Sequence, residues 1–206
     1  ARPKGYAATM RCSTASGWRY GYKRRWDRTL LTSSMRTNHT GISRERFART
    51  EGGKVEPISR FFKLAADGVS NTLRAGTDSS RGAFTSPRPI HYEHARCVTV
   101  REMARLHGFP DWFRFHATKW HGARQIGNAV PPPLAYAIGR AILSADGRDV
   151  ERPTGVLQLG DPALLKLDMS KASKYWGIPV PIAKRNRKSG IKKRRQQDIA
   201  QSMEIG

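Results

Sequence analysis

At 206 residues the chain has room for one domain, or for one domain and a tail. Its 38 Lys and Arg against 16 Asp and Glu give a formal charge of +22, an excess that repels itself in isolation and suits a polyanionic partner, nucleic acid first. The two cysteines, Cys12 and Cys97, lie far apart in no metal-like spacing, no apolar run approaches the roughly 18 residues of a membrane span, and the opening Ala-Arg-Pro-Lys-Gly lacks the apolar core of a secretory signal. A disulfide scaffold, a Cys-based zinc site and a membrane protein are thereby disfavoured, and the expected setting is reduced and cytoplasmic.

Residues 1–40 interleave Trp18, Tyr20, Tyr22 and Trp26 with Arg19, Lys23, Arg24, Arg25 and Arg28. Two readings stand side by side: aromatics that stack on bases while the cations hold phosphates, or a short amphipathic strand or loop with ordinary core aromatics. Thr37 to Gly41 reads as a turn.

In residues 41–96, Ile42 to Arg49 suits a short helix closed by Gly52-Gly53. Pro57 to Leu64 alternates and carries aromatics, which predicts a strand, and Asp67-Gly68 followed by Val69 to Leu73 predicts a hairpin return. Arg74 to Gly82 is then a loop of small, polar and cationic residues. Arg74 and Arg81 can each offer two donors to a guanine edge, with Thr72, Thr77 and Asp78 able to bond other bases; the alternative is a surface loop that touches phosphates only. Pro87 and Pro89 hold an extended segment. His91 and His94 are three apart with no Cys or carboxylate cluster beside them, so no metal site is expected.

Residues 97–147 carry the strongest local signals. Thr99 and Glu102 stand in the relation of a capping box, opening a helix of about two turns that buries Val100, Met103, Ala104 and Leu106 and stops at Gly108 and Pro110. Phe109, Trp112, Phe113 and Phe115 follow. Lys119 to Arg124 is a basic link, Gln125 to Asn128 a glycine-containing turn, and Pro131 to Pro133 start a helix at about Pro132. On that helix Leu134, Ile138 and Ile142 recur at a spacing of four with small Ala135 and Gly139 beside them, so one apolar face should lie against another element. The turn ahead of it, Gly127 to Val130, is backbone-rich and suited to approach a ligand closely. In residues 148–206, Ser170 to Trp176 suits one or two helical turns, and Lys184 to Lys188 and Lys192 to Arg195 form a basic, irregular tail of the kind that adds nonspecific DNA affinity.

Taken together, T-V-R-E-x-A-R-L-x-G-F-P-D and, close behind it, Q-I-G-N-A-V-P-P-x-L-A resemble the ninth and tenth conserved blocks of the DNA (cytosine-5-)-methyltransferases, a likeness that extends over roughly residues 40 to 143. Arg88 to His91 resembles the R-P-I-H segment of one bacterial branch. The resemblance implies an α+β fold for this chain: a small β-rich target-recognition domain plus helices that complete a Rossmann-like methyltransferase domain. It also implies double-stranded DNA as partner, S-adenosylmethionine as methyl donor, recognition by the loop holding Thr72, Arg74, Thr77, Asp78 and Arg81, and a cofactor contact at Asn128, Ala129 and Val130. Arg101 and Glu102 would hold a hinge.

In the family a cysteine thiolate of a Pro-Cys-Gln segment adds to carbon 6 of a flipped cytosine, and a glutamate of Glu-Asn-Val holds the ring nitrogen. This sequence has neither segment, nor a Phe-x-Gly-x-Gly cofactor loop. No catalytic residue is therefore assigned here. The expectation is the C-terminal part, or a split subunit, of such a methyltransferase, inactive alone and completed by an N-terminal catalytic region or a separate catalytic subunit. A non-enzymatic basic DNA-binding module is the alternative. A nuclease that borrowed the recognition region would need clustered carboxylates, which are lacking.

Overall fold

A computed structural model describes residues 22–27, 29–76, 89–149, 151 and 153–179. The chain gathers into two units, one formed by residues up to 36 with 98–165, the other by 37–97 with those from 166 onward.

In the first unit, β1 (Lys23–Arg25) pairs in parallel with β2 (Val156–Gln158). Helix α2 (Val100–Leu106) starts on the expected capping box: the Thr99 N–H donates to Glu102 Oε2 at 2.7 Å and the Glu102 N–H to Thr99 Oγ1 at 3.2 Å. Two orphan donors of the first turn are thus satisfied reciprocally. The helix ends where Gly108 takes φ 88°, a left-handed conformation glycine adopts without strain. Val100, Met103 and Ala104 are buried as expected, but Leu106 is exposed, because seven residues give one inward stripe and Leu106 lies off it.

Helix α3 (Lys119–Asn128) overturns two expectations at once. The presumed basic link and the presumed turn at Gln125–Asn128 are one continuous helix, whose Gly122, Ala123 and Ile126 are buried. Two glycines weaken its intrinsic propensity, so tertiary contact decides. A Cβ built on Gly122 would stand 2.9 Å from Val100 Cγ1 and 3.1 Å from the His116 carbonyl oxygen, so the glycine is what lets α3 approach α2. Gly122→Ala is accordingly expected to lower stability by about 1–2 kcal/mol, overpacking outweighing the roughly 1 kcal/mol alanine gains as a helix former; a gain in urea midpoint would contradict this packing. Helix α4 (Pro132–Ala145) begins with proline in its first turn, as expected.

In the second unit, α1 (Gly41–Arg49) is capped by Thr40, whose hydroxyl accepts from the Ser43 N–H. Its Phe47 packs with Ile90, Cys97, Phe61 and Ala95, and His39 stands edge-on to Phe47 while accepting the Cys97 N–H. The expected hairpin about Asp67-Gly68 is absent. Instead the chain doubles back earlier, with Val55 bridged antiparallel to Phe62, and Ile90 adds bridges to Lys63 and Cys97. Turn chemistry explains the shift: Gly68 does not take a positive φ, whereas Arg60 does, and Val69 is 90% exposed rather than paired. Among the described residues of 41–96 the β structure is therefore bridges, not the β-rich domain expected. Helix α5 (Met169–Trp176) ends in left-handed Gly177. Helices with a small parallel sheet give the chain the mixed α and β composition expected of it.

Candidate functional site

In the first unit the candidate residues Asn128, Ala129 and Val130 lie at the junction of α3 and α4. Asn128 closes α3, Ala129 caps it in extended conformation, and Val130 leads into the prolines. Asn128 and Val130 are exposed. His107 fastens this junction: its Nε2 lies 2.8 Å from the Ala129 carbonyl oxygen. A carbonyl can only accept, so Nε2 carries the proton. That tie was not read from the sequence, where His107 shows only as the residue before Gly108.

In the same unit, Arg101 is 1% exposed and holds three stretches of chain together. Its Nε donates to the Thr32 carbonyl at 3.0 Å and Nη2 to Thr32 Oγ1 at 2.9 Å. Nη1 donates to the Pro110 carbonyl at 3.2 Å and Nη2 to that of Phe113 at 2.7 Å. The Arg101 N–H also donates to the Ser33 carbonyl at 3.0 Å. Burial lowers the Arg101 guanidinium from its ordinary range to about 10, partly offset by Asp111; it remains a cation at neutral pH. Asp111 is itself clasped by Arg105 in a two-pronged pair at 2.9 and 2.7 Å, a bond that raises Arg105. Phe109, Phe113 and Phe115 pack ring to ring at 4.9 to 5.1 Å between centroids, with Phe109 and Phe115 buried and Phe113 part-exposed at the edge of this small cluster. Glu102 serves the capping box; the multi-segment tie belongs to Arg101.

Helix α4 buries none of its residues. Leu134, Ile138 and Ile142, the stripe expected to face another element, are 50%, 49% and 62% exposed. An apolar row of this kind, on a helix with three neighbouring aliphatics at a spacing of four, is what a soluble chain normally covers.

In the second unit Thr72 and Arg74 are exposed on either side of buried Leu73, so both are open to solvent. Thr77, Asp78 and Arg81 lie outside the described residues. Thr72 and Arg74 share one short stretch; Asn128, Ala129 and Val130 share another, in the other unit.

Comparison with known proteins adds the decisive observation. The family described as C-5 cytosine-specific DNA methylase matches residues 7–144, well over half of the chain. The chain belongs to that family. Among curated proteins, the type II methyltransferase M.XorII of Xanthomonas oryzae pv. oryzae is 54% identical over 187 residues, 90% of this chain and 44% of that protein. DNA (cytosine-5)-methyltransferase 2 of Arabidopsis thaliana is 50% identical over 70 residues, 31% of this chain and 5% of that protein. A crystal structure of a prophage-encoded E. coli DNA modification methyltransferase superposes with a TM-score of 0.54 at 33% identity, covering 71% of this chain and 39% of that one. The chain thus spans less than half the length of these methylase relatives. Among its described residues no helix is long and apolar enough to cross a membrane.

Proposed function

We propose that this chain supplies target recognition and one wall of the methyl-donor pocket to a DNA (cytosine-5-)-methyltransferase, whose catalytic cysteine comes from outside these 206 residues, on the same polypeptide or on a separate subunit. The observation that carries the reading is the open apolar face of α4: Leu134, Ile138 and Ile142 form a packing surface without its counterpart. Family membership and the absence of any Pro-Cys-Gln segment in the sequence support it.

S-adenosylmethionine, bound at the completed pocket, would supply the methyl group. The residues present fit one edge of such a site. Asn128 offers an exposed amide with no side-chain hydrogen bond among the described residues, and Val130 offers an exposed aliphatic surface. The tie from His107 to the Ala129 carbonyl holds the backbone between them. On the DNA side, Thr72 and Arg74, with Thr77, Asp78 and Arg81, are the residues proposed to meet base edges, within a recognition region of residues 41–96. The basic stretch from Lys184 to Arg195 adds charge for the phosphate backbone.

The purified chain is expected to bind duplex DNA with steep salt dependence and to transfer no methyl group from labelled S-adenosylmethionine. Methyl transfer by the chain alone would refute the missing-nucleophile reading, and salt-insensitive or absent DNA binding would refute the recognition role.

A further inference from the structure

Arg60 occupies a place where glycine is the ordinary choice. The chain from Gly53 to Lys63 folds back on itself: the Glu56 N–H donates to the Phe61 carbonyl at 2.8 Å and the Lys63 N–H to the Lys54 carbonyl at 2.8 Å, leaving Pro57, Ile58, Ser59 and Arg60 as the tip. Arg60 closes it with φ 60°, and its N–H donates to the Glu56 carbonyl at 2.8 Å. A side chain in that left-handed region is strained, and such strain persists only where the surroundings dictate it.

Here they do. The buried Glu56 carboxylate accepts the Ile58 N–H at 3.2 Å and the Ser59 N–H at 2.6 Å, moulding the tip from inside. Lys63 then pins the hairpin to α1, its Nζ donating to the Phe47 carbonyl at 2.9 Å at the end where the helix carbonyls gather. Arg60 itself is exposed, and its guanidinium has no hydrogen bond or ion pair among the described residues. The rest of the tip offers little that could tell one base from another: Pro57 and Ile58 have no polar side-chain group, and the buried Ser59 hydroxyl meets the Phe61 N–H at 3.4 Å. A cation carried on a fixed backbone, without neighbouring readers, suits a phosphate contact, which sets register and carries no sequence information.

We propose that Arg60 is a positioning residue that grips the phosphate backbone of duplex DNA and sets the register of the recognition segment holding Thr72 and Arg74 in the same unit. This rests on the DNA-recognition reading above.

The test compares the full chain with Arg60→Gly, Arg60→Asn and Arg60→Lys, measuring thermal melting and the binding of fluorescein-labelled duplexes of several sequences over a salt series. Arg60→Gly relieves the backbone, so its melting temperature is expected to hold or rise. Its affinity at low salt is expected to fall about tenfold, to a similar degree on every duplex, with the slope of log affinity against log salt reduced by about one. Arg60→Lys, which keeps the charge, should recover part of the loss. Should glycine disturb the tip, Arg60→Asn, which tolerates the left-handed region, makes the same measurement. Unchanged affinity and slope in folded Arg60→Gly or Arg60→Asn would overturn the proposal while leaving DNA recognition standing. A loss confined to particular sequences with the slope intact would also overturn it. A wild-type chain that binds no duplex would bring down both readings.

Discussion

Arg101→Met is expected to destabilise the chain by about 3–5 kcal/mol, the range seen when a buried charge network is broken from one side. Methionine matches much of the volume and adds apolar surface, and replacing buried ionic groups with apolar ones is sometimes neutral. That exchange works when every member of the network is replaced. Here most of what Arg101 satisfies is main chain: the carbonyls of Thr32, Pro110 and Phe113, together with Thr32 Oγ1. No substitution at 101 removes those acceptors, so each loses its donor in a buried or part-buried setting. Asp111, by contrast, keeps Arg105.

Three controls make the expectation specific. Arg105→Met removes a two-pronged pair whose arginine is part exposed, and a smaller loss of about 1–2 kcal/mol follows. Arg101→Lys keeps a charge but not the planar fork, so it falls between wild type and Arg101→Met. Thr32→Val removes one acceptor from the knot and is expected to lose about 1 kcal/mol. Urea unfolding reads all four variants beside wild type; for a chain of this length the Arg101→Met loss corresponds to a drop in melting temperature on the order of 10 °C. An Arg101→Met stability within about 0.5 kcal/mol of wild type, the range of ordinary surface substitutions, would show that Arg101 does not hold the unit together.

What could be read in the sequence was what neighbours in sequence decide. The Thr99–Glu102 box, the end at Gly108 and the proline start of α4 are settled within a few residues, and the structure carries all three. The exposed stripe on α4 was likewise visible as a spacing of four. Features that depend on distant contact were not visible. Continuous α3 looked like a link and a turn because its glycines argue against helix, and only the fit of Gly122 against Val100 reverses that. A cation is ordinarily solvated, so nothing in the heptapeptide of α2 announced that Arg101 would be buried on Thr32, 69 residues earlier. The hairpin moved because a buried carboxylate, Glu56, shaped the tip at Arg60, while Asp67-Gly68, the better turn dipeptide on paper, went unused. For the candidate site, the junction residues Asn128 to Val130 were named by resemblance, and the histidine that fastens them was not.

The second large effect concerns a surface that matters little to this chain alone. Ile138→Asp is expected to leave the folding of the isolated chain unchanged within about 0.5 kcal/mol, since the side chain is half exposed and α4 buries nothing. In the assembled enzyme proposed above, the same change would place a carboxylate at the middle of the stripe formed by Leu134, Ile138 and Ile142. Covering what these three still expose contributes roughly 2–4 kcal/mol to assembly, and an unpaired buried carboxylate costs several kcal/mol more. Association is therefore expected to weaken about a hundredfold or more. The region of M.XorII outside the matched part, co-expressed with this chain, provides the partner: wild type should co-purify and gain methyl transfer, Ile138→Asp should do neither, and Ile138→Val should behave as wild type. An exposed change elsewhere, Lys171→Asp on α5, controls for charge, since its side chain is also exposed. Retention of assembly by Ile138→Asp would mean that the face stays open to water in the working enzyme, and that the apolar stripe of α4 is not the seam at which recognition and catalysis are joined.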